Sequence, residues 1–541
     1  MSELSFDVVR LSFDELNRFA SFEAFTRLRE NGSMFAGAVP AAVGQGQVST
    51  SPFMDRGAVA QLLDAINPGL PTPPQDAAYV IGGQQAGLLT GPLYAFLKAV
   101  TCIRIAQALR ESTGGAVFPL FWVASEDHDV LEVNRVTVSG ERFVHSFNGD
   151  IRRGHVPQVA EISLQEAREP LLRFLRNVLP RTEFTQWVLG IVSELDYSSY
   201  ASAFCDMLSA VMAGHGLRIV DPISVRKLTG PVLASLVERW PDLEEALIRG
   251  SEAVAAQGVQ PPLPGLRLFE IVDGRRVPVE RISQGLRLSM GRCSFREAAD
   301  RVRGAPQNFS PGAALRPLLQ DAVLPTAVTV AGPTELAYLV QIAPLYGLTA
   351  IRASARAPRI SATFVEPAIR RAADRVGLRL SRLFDVVSMM EEDGATTGVP
   401  WATAIARKGD ELLKLVDGLP HSPKPRWLRS SRAGIEAAVS RITRRLEEEK
   451  LEASGITRER LRRVADAILP GGTLQERIVN VTQFLNLHGP EFVACAVGSL
   501  DPTAHWHQIV SIVGGHDRPK PGSQVPDAQR VDKGNGGAHG S

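Results

Sequence analysis

Two short segments carry the residue types best suited to chemistry. The first is Gly82-Gly83-Gln84-Gln85-Ala86-Gly87-Leu88-Leu89-Thr90-Gly91-Pro92. Its four glycines allow backbone N–H groups to approach a ligand closely, and a following helix adds partial positive charge at its N-terminus. Phosphate or carboxylate is the expected guest, with the Gln84 and Gln85 amides available to a polar group. The spacing is neither the dinucleotide fingerprint nor the P-loop, so by itself it names no ligand. The second segment is Glu126-Asp127-His128-Asp129, directly after an apolar run. Its carboxylates could hold Mg²⁺ through oxygen, with Glu126 as the metal-ligand candidate. Alternatively His128 acts as acid or base beside Asp127 and Asp129. A solvated turn capping a helix is the plain alternative. The histidine facing a glycine loop from the adjacent strand puts function ahead of it.

A third group is Arg316-Pro317 with Gln320, followed by Gly332-Pro333-Thr334-Glu335-Leu336-Ala337-Tyr338. Glu335 and Tyr338 fall one helical turn apart on one face, and Arg359 could supply a cation for a carboxylate. Taken singly, each of these residues is better explained by helix capping and core anchoring. His145 and His155 lie in hairpin-like sequence, His505 and His507 flank Trp506, and no HxxxH or HExxH pattern occurs, so none is assigned a metal.

The elements that must position these residues follow from periodicity. Ala77–Ile81 and Ala116–Ala124 read as buried strands, and Pro92 suits the first turn of a helix reaching about Glu111. Strand, glycine loop, helix, strand is a βαβ unit with parallel strands. Helices are expected at Asp55–Ile66, Leu164–Leu179, Phe184–Ala213, Ser224–Arg239 and Glu335–Tyr346. Strands are expected at Leu217–Asp221, Leu324–Ala331 and Leu348–Arg352, with hairpin material at Asn134–His155 and short strands over residues 255–297. The alternation predicts an α/β fold: a Rossmann-like, doubly wound, mostly parallel sheet over residues 1–360, with a small accessory insertion at about 137–300. Beyond Pro358, Ile369, Ala373, Val376, Leu380, Leu383, Val387 and Met390 alternate steps of four and three, a heptad seam repeated by Ile435, Val439, Ile442 and Leu446. An α-helical antiparallel coiled coil is expected over 361–468, a return to the core over 469–513, and a disordered tail over 514–541.

Composition narrows the class. The 541 residues are 44% hydrophobic and 22% charged, with 59 Lys plus Arg against 58 Asp plus Glu. That balance argues against a nucleic-acid partner, since the basic run Arg441–Arg463 is interleaved with acids. Four scattered cysteines, without a CxxC pair, fit free thiols in a reducing compartment. Met1–Ala20 lacks the pattern of a secretory signal, and Pro92–Leu109 carries Lys98 and Arg104, so no membrane span is expected. A cytoplasmic enzyme is the expectation.

In order along the chain, several motifs resemble the cysteine-ligase family of bacillithiol biosynthesis, BshC. They are Gly83-Gln84-Gln85-Ala86-Gly87-Leu88-Leu89-Thr90-Gly91-Pro92-Leu93-Tyr94 with Lys98, and Phe121-Trp122-Val123-Ala124-Ser125-Glu126-Asp127-His128-Asp129 with Glu132 and Asn134. Further along come Asn308-Phe309-Ser310-Pro311, Arg316-Pro317 with Gln320, Leu324-Pro325-Thr326, Gly332-Pro333, Glu335, Tyr338 and Leu474-Gln475-Glu476-Arg477. The resemblance implies a Rossmann-like core, a coiled-coil domain that makes a homodimer, and ligation of L-cysteine to the glucosamine amine of glucosaminyl malate. Energetics imply ATP as the activator, with Mg²⁺. On that reading the loop from Gly82 to Gly91 binds phosphate or the malyl carboxylate, and Lys98 is a nearby cation. His128 takes the amine proton, Glu126 holds Mg²⁺, and Arg316 and Glu335 line the opposite wall. A metal-dependent hydrolase built on Glu126–Asp129 and a non-catalytic coiled-coil scaffold are the alternatives.

Overall fold

A computed structural model of the protein describes residues 4–12, 16, 26–27, 48–146, 157–395, 400–419, 425–502 and 506–514. His155, His505 and the expected tail over 515–541 lie outside the described residues. The chain builds strand β1 (Ala78–Gln84), helix α1 (Leu93–Thr113), strands β2 (Val117–Val123) and β3 (Arg218–Val220), helix α2 (Pro222–Glu238), strand β4 (Thr326–Ala331), helix α3 (Pro333–Gln341) and strand β5 (Ala355–Pro358). The strands form one sheet in the order β5-β4-β1-β2-β3, and every neighbouring pair is parallel. Strands covered on both faces need apolar side chains on both, which is why β1 and β2 read as unbroken apolar runs rather than alternating ones. α1 is buried on nearly all sides and stops at Gly114, whose φ of +67° lets its N–H reach back to the Arg110 carbonyl.

The order of the strands locates the site. From β1 the chain winds outward through β2 and β3, then crosses back to add β4 and β5 on the other side of β1. Between β1 and β4 the winding reverses, and in open α/β sheets the crevice outside the carboxyl ends at such a point receives ligands. The long passage from β3 to β4 adds two small antiparallel sheets, one joining Leu268–Val272 to Arg275–Pro278 and Phe309–Pro311. This sheet leans over the carboxyl ends of the main one.

The structure departs from the sequence reading in four places. Phe184–Ala213 is two helices, Thr185–Ser193 and Tyr200–Val211, broken at a turn where Ser199 caps the second. Leu348–Arg352 is not a strand of the sheet. The fifth strand is Ala355–Pro358, and Arg352 makes only an isolated bridge to Thr50. The seam from Ile369 to Met390 is not one helix: Pro367–Arg375 ends near Gly377, which has φ +71°, and a 3₁₀ stretch intervenes before Val386–Ala395. The antiparallel pair is instead Pro400–Asp417 against Arg426–Ile468, and Arg432 bonds Asp417 across it at 3.0 Å. Finally, Ser361–Val365 and Trp506–Val513 are strands. Together with Ser5–Ser12 they make a second sheet, in which Trp506–Val513 is central.

This second sheet is held to the first by a buried polar cluster. Glu476, with no exposure, accepts from Arg359 at 2.5 Å, the Ser361 hydroxyl at 2.9 Å and the Ala362 amide at 2.9 Å. His507, equally buried, lies between Ser361 and Thr363 at 2.8 and 2.9 Å. Burial is the largest influence on the imidazole and pushes it down to about 4, while the Glu476 carboxylate pulls the other way. In the unfolded chain a histidine titrates near about 6.5, so between there and about 4 the unfolded state binds the extra proton and stability falls as pH falls. We expect urea unfolding to show roughly 3 kcal/mol lost over that window from this group. His507→Gln should remove one proton's worth of slope, and an unchanged slope in the variant would refute the assignment.

Candidate active site

At the β1/β4 reversal lies a cavity of about 270 Å³. Gly83, Gln84 and Gln85 form one side, and Thr329, Ala331, Glu335 and Tyr338 the other. Asp127 and Glu132 come from beyond β2, and Arg316 and Gln320 close it from the helix before β4. The glycine turn and the acidic turn therefore open onto one cavity, and Gln85 joins them directly, its amide donating to Asp127 at 2.9 Å.

Beneath the floor is Lys98, on α1 and only 1% exposed. Its ammonium donates to the Gly83 carbonyl, to Gln84 Oε1 at 3.1 Å and to Glu335 Oε2 at 2.7 Å. A lysine has three N–H donors, and here each has an acceptor. The same Glu335 oxygen accepts from the Gly332 amide at 2.6 Å, which fixes the first turn of α3. Glycine at 82 makes this arrangement sterically open. A Cβ there would stand 2.8 Å from the Cys102 sulfur and 2.9 Å from the Lys98 side chain. A Cβ at Gly83 would meet the Trp122 carbonyl at 3.0 Å.

Asp127 is the most constrained ionisable group facing the cavity. Burial by itself would raise its carboxyl. Arg316, the Gln85 amide, Arg276 and the His128 N–H together outweigh burial and hold it below the usual range. Arg276 was not singled out from the sequence. It comes from the accessory sheet, lies over the Phe269 ring at 3.9 Å, and donates to the Pro311 carbonyl at 2.5 Å. It stands 3.8 Å from Asp127 Oδ1 and 3.3 Å from His128 Nδ1. Burial lowers its guanidinium to about 10, against the pull of Glu126 and Asp127. Arg316 has no hydrogen-bond partner among the described residues and is the free cation of this cavity.

The other expected residues are placed differently. His128 does not line the cavity. Its Nδ1 lies 3.3 Å from the Arg276 guanidinium and 3.7 Å from Asp127 Oδ1. Glu126 is buried away from the cavity, accepting from Arg226 at 2.8 Å and Ser310 at 3.0 Å. Asp127, His128 and Asp129 bring ligand atoms within 4.8 Å of one another, close enough for a metal ion. The Arg276 guanidinium already stands among them, and a cation there does not fit a divalent ion.

The turn from Gly87 to Gly91 is bonded within the protein at part of its backbone. The Gly87, Gly91 and Leu93 N–H groups donate to Gln85, Leu88 and Val479. Leu89, Thr90 and Gly91 take successive positive φ values of 50°, 76° and 71°. Asn480 holds that strained shape, its amide donating to the Leu89 and Gly91 carbonyls at 2.6 and 2.5 Å. Thr90 is buried. Asn134 is buried as well, pinning the hairpin through the His145 carbonyl at 3.2 Å. Arg359 is committed to Glu476 and lies 5.6 Å from the centre of the Tyr94 ring. Gln320 donates to Thr329 within the cavity wall at 3.1 Å. Burial, with Glu335 adding to it, raises the Tyr338 hydroxyl, so it faces the cavity as a neutral donor.

Comparison with known proteins agrees with this layout. Residues 73–360 match the family described as the bacillithiol biosynthesis BshC N-terminal Rossmann-like domain, and residues 425–512 match its C-terminal coiled-coil domain. A protein of Bacillus cereus strain AH187 named "Putative cysteine ligase BshC" is 28% identical over 445 residues, 77% of this chain and 82% of the relative. Proteins of the same name from Bacillus thuringiensis strain Al Hakam and Bacillus anthracis strain A0248 are 27% identical over 446 residues, 76% of this chain and 81% of each relative.

Because Lys98 ties β1 to α3, we expect Lys98→Met to cost roughly 1–3 kcal/mol, discounted for the 31% exposure of Glu335. Chemical denaturation measures this, and a variant as stable as the parent would show that the triple bond is not structural.

Proposed function

The chain belongs to the BshC family of bacillithiol biosynthesis, and on that premise we propose that it joins L-cysteine to the glucosamine amine of glucosaminyl malate. The observation that carries this reading is the pairing of Asp127 with Arg316 in one cavity at the strand reversal. A free amino acid is a zwitterion and needs an anion for its ammonium group and a cation for its carboxylate. Asp127, kept ionised, serves the first, and Arg316, without another hydrogen-bond partner, serves the second. The Gln84, Gln85 and Gln320 amides and the Tyr338 hydroxyl supply neutral polar contacts for the rest of the substrate.

Joining a free carboxylate to an amine in water is uphill, and ATP with Mg²⁺ is the activator that the energetics call for. In the glycine turn the Gly87, Gly91 and Leu93 amides are bonded within the protein, and the anionic groups of the substrates are assigned to side chains instead. Glu132, on the cavity wall, takes the proton released by the incoming amine. His128 orients Asp127 through its backbone N–H, which donates to Asp127 Oδ1 at 2.8 Å. The hydrolase alternative needs a metal among Asp127, His128 and Asp129, and the guanidinium standing there weighs against it.

A cytoplasmic setting is part of the proposal, and no described helix is long and apolar enough to cross a membrane. Self-association through the coiled coil is also part of it, supported by the exposed apolar residues Leu412, Leu415, Trp427 and Ile442.

The test is to incubate purified protein with L-cysteine, glucosaminyl malate, ATP and Mg²⁺ and follow the ligated thiol by mass spectrometry. We expect product only with both substrates and ATP. Asp127→Asn and Arg316→Met should each lower kcat/KM for cysteine roughly 10–100-fold, the usual cost of a lost charged hydrogen bond. No ligated product under any of these conditions, or full activity in both variants, would overturn the reading.

A further inference from the structure

Next to the cavity is a second concavity of about 410 Å³, lined by Tyr94, Glu132, Arg135, Thr137, Arg142 and Arg477 among others. It has three guanidiniums against one carboxylate, in a chain whose total charge nearly cancels. None of Arg135, Arg142 and Arg477 has a side-chain hydrogen bond or ion pair among the described residues. Unpaired like charges gathered in a concavity repel one another, and an anion would relieve that repulsion.

Three separate parts of the chain build the concavity. Arg135 and Thr137 are two apart on one strand of a hairpin, hence on one face, and Arg142 stands opposite Thr137 on the other strand. Arg477 arrives on the segment that bridges to this hairpin. Val479 pairs with Thr137, and the Asn480 backbone N–H donates to the Thr137 carbonyl at 3.0 Å. The same Asn480 side chain clamps the turn ending in Gly91, which forms the third wall. The arginines are thus held on elements that are hydrogen-bonded to one another.

Glu132 lines both concavities, and the neighbouring Tyr94 hydroxyl lies in the fields of Arg477, Arg359, Glu335 and Glu132. We propose that the Arg135–Arg142–Arg477 concavity is an anion subsite that takes the dicarboxylate end of the amine substrate, while its amine reaches past Glu132 into the cavity that holds the amino acid. The assignment rests on the proposed ligation. Two carboxylates in one small group match several forked donors better than a single point charge would. It also gives the substrate a fixed end remote from the reacting nitrogen, which favours orientation at the bond being made.

The experiment uses the full chain and two readouts. In the first, L-malate binding is measured by calorimetry, with inorganic triphosphate as the competing source of negative charge. We expect malate to bind, the Arg142→Ala/Arg477→Ala double variant to weaken it at least tenfold, and Arg316→Met to leave it within twofold. In the second, the double variant should raise KM for glucosaminyl malate at least tenfold while KM for cysteine stays within twofold. Loss of malate binding in Arg316→Met but not in the double variant would overturn the proposal. So would a concavity that binds triphosphate through these arginines and ignores malate. Arginine-dependent malate binding in a protein that makes no ligated product would retain the subsite and reject only the ligation.

Discussion

The site depends on one buried ammonium. Lys98 sits inside a helix buried on nearly all sides, where an uncompensated charge would be prohibitive. It is tolerated because acceptors from two strand ends converge on it: the carbonyl and side chain at the end of β1, and the carboxylate of Glu335 just past β4. That requirement propagates. The strand must come close enough to α1 that only glycine fits at 82, Glu335 must stand in the first turn of α3, and the Gly332 amide must share its oxygen. The crevice between β1 and β4 has the width that these bonds allow, and the side chains facing substrate are spaced accordingly.

The sheet itself was legible in the sequence because its strands are covered on both sides and so print as apolar runs ending in glycine or acidic turns. The pairing of the glycine turn with the acidic turn followed from the βαβ logic alone. The role of Lys98 was not legible, since a mid-helix lysine reads as a surface residue. Nor were Arg276 and the second sheet: Arg276 lies in a short accessory hairpin, and Trp506–Val513 is a strand whose neighbours in the sheet are far away in sequence, one of them near the start of the chain. The heptad from Ile369 to Met390 misled for a clear reason. Period alone cannot register a left-handed glycine such as Gly377, which ends the helix partway through the seam.

The glycine turn shows how residue type and use can part company. Its glycines suggested backbone amides facing an anion, and two of those amides, at Gly87 and Gly91, are bonded to the nearby Gln85 and Leu88 carbonyls. The glycines serve close approach and positive φ: Gly87 and Gly91 nearly touch, with an added Cβ at 87 meeting Gly91 at 2.9 Å. The guanidiniums that line the neighbouring concavity stand on other elements.

The clamp made by Asn480 has a consequence for biogenesis. The turn it holds lies nearly four hundred residues upstream, and the intervening chain includes the other four strands of the sheet and the long helical arm. A nascent protein emerging from the ribosome can therefore assemble its parallel strands early, yet the region around Gly91 stays unbraced until the segment bearing Asn480 has been made. Chains that stall in translation before that point would carry a folded core with an unfinished pocket, a species that binds poorly and offers a loose turn to proteases.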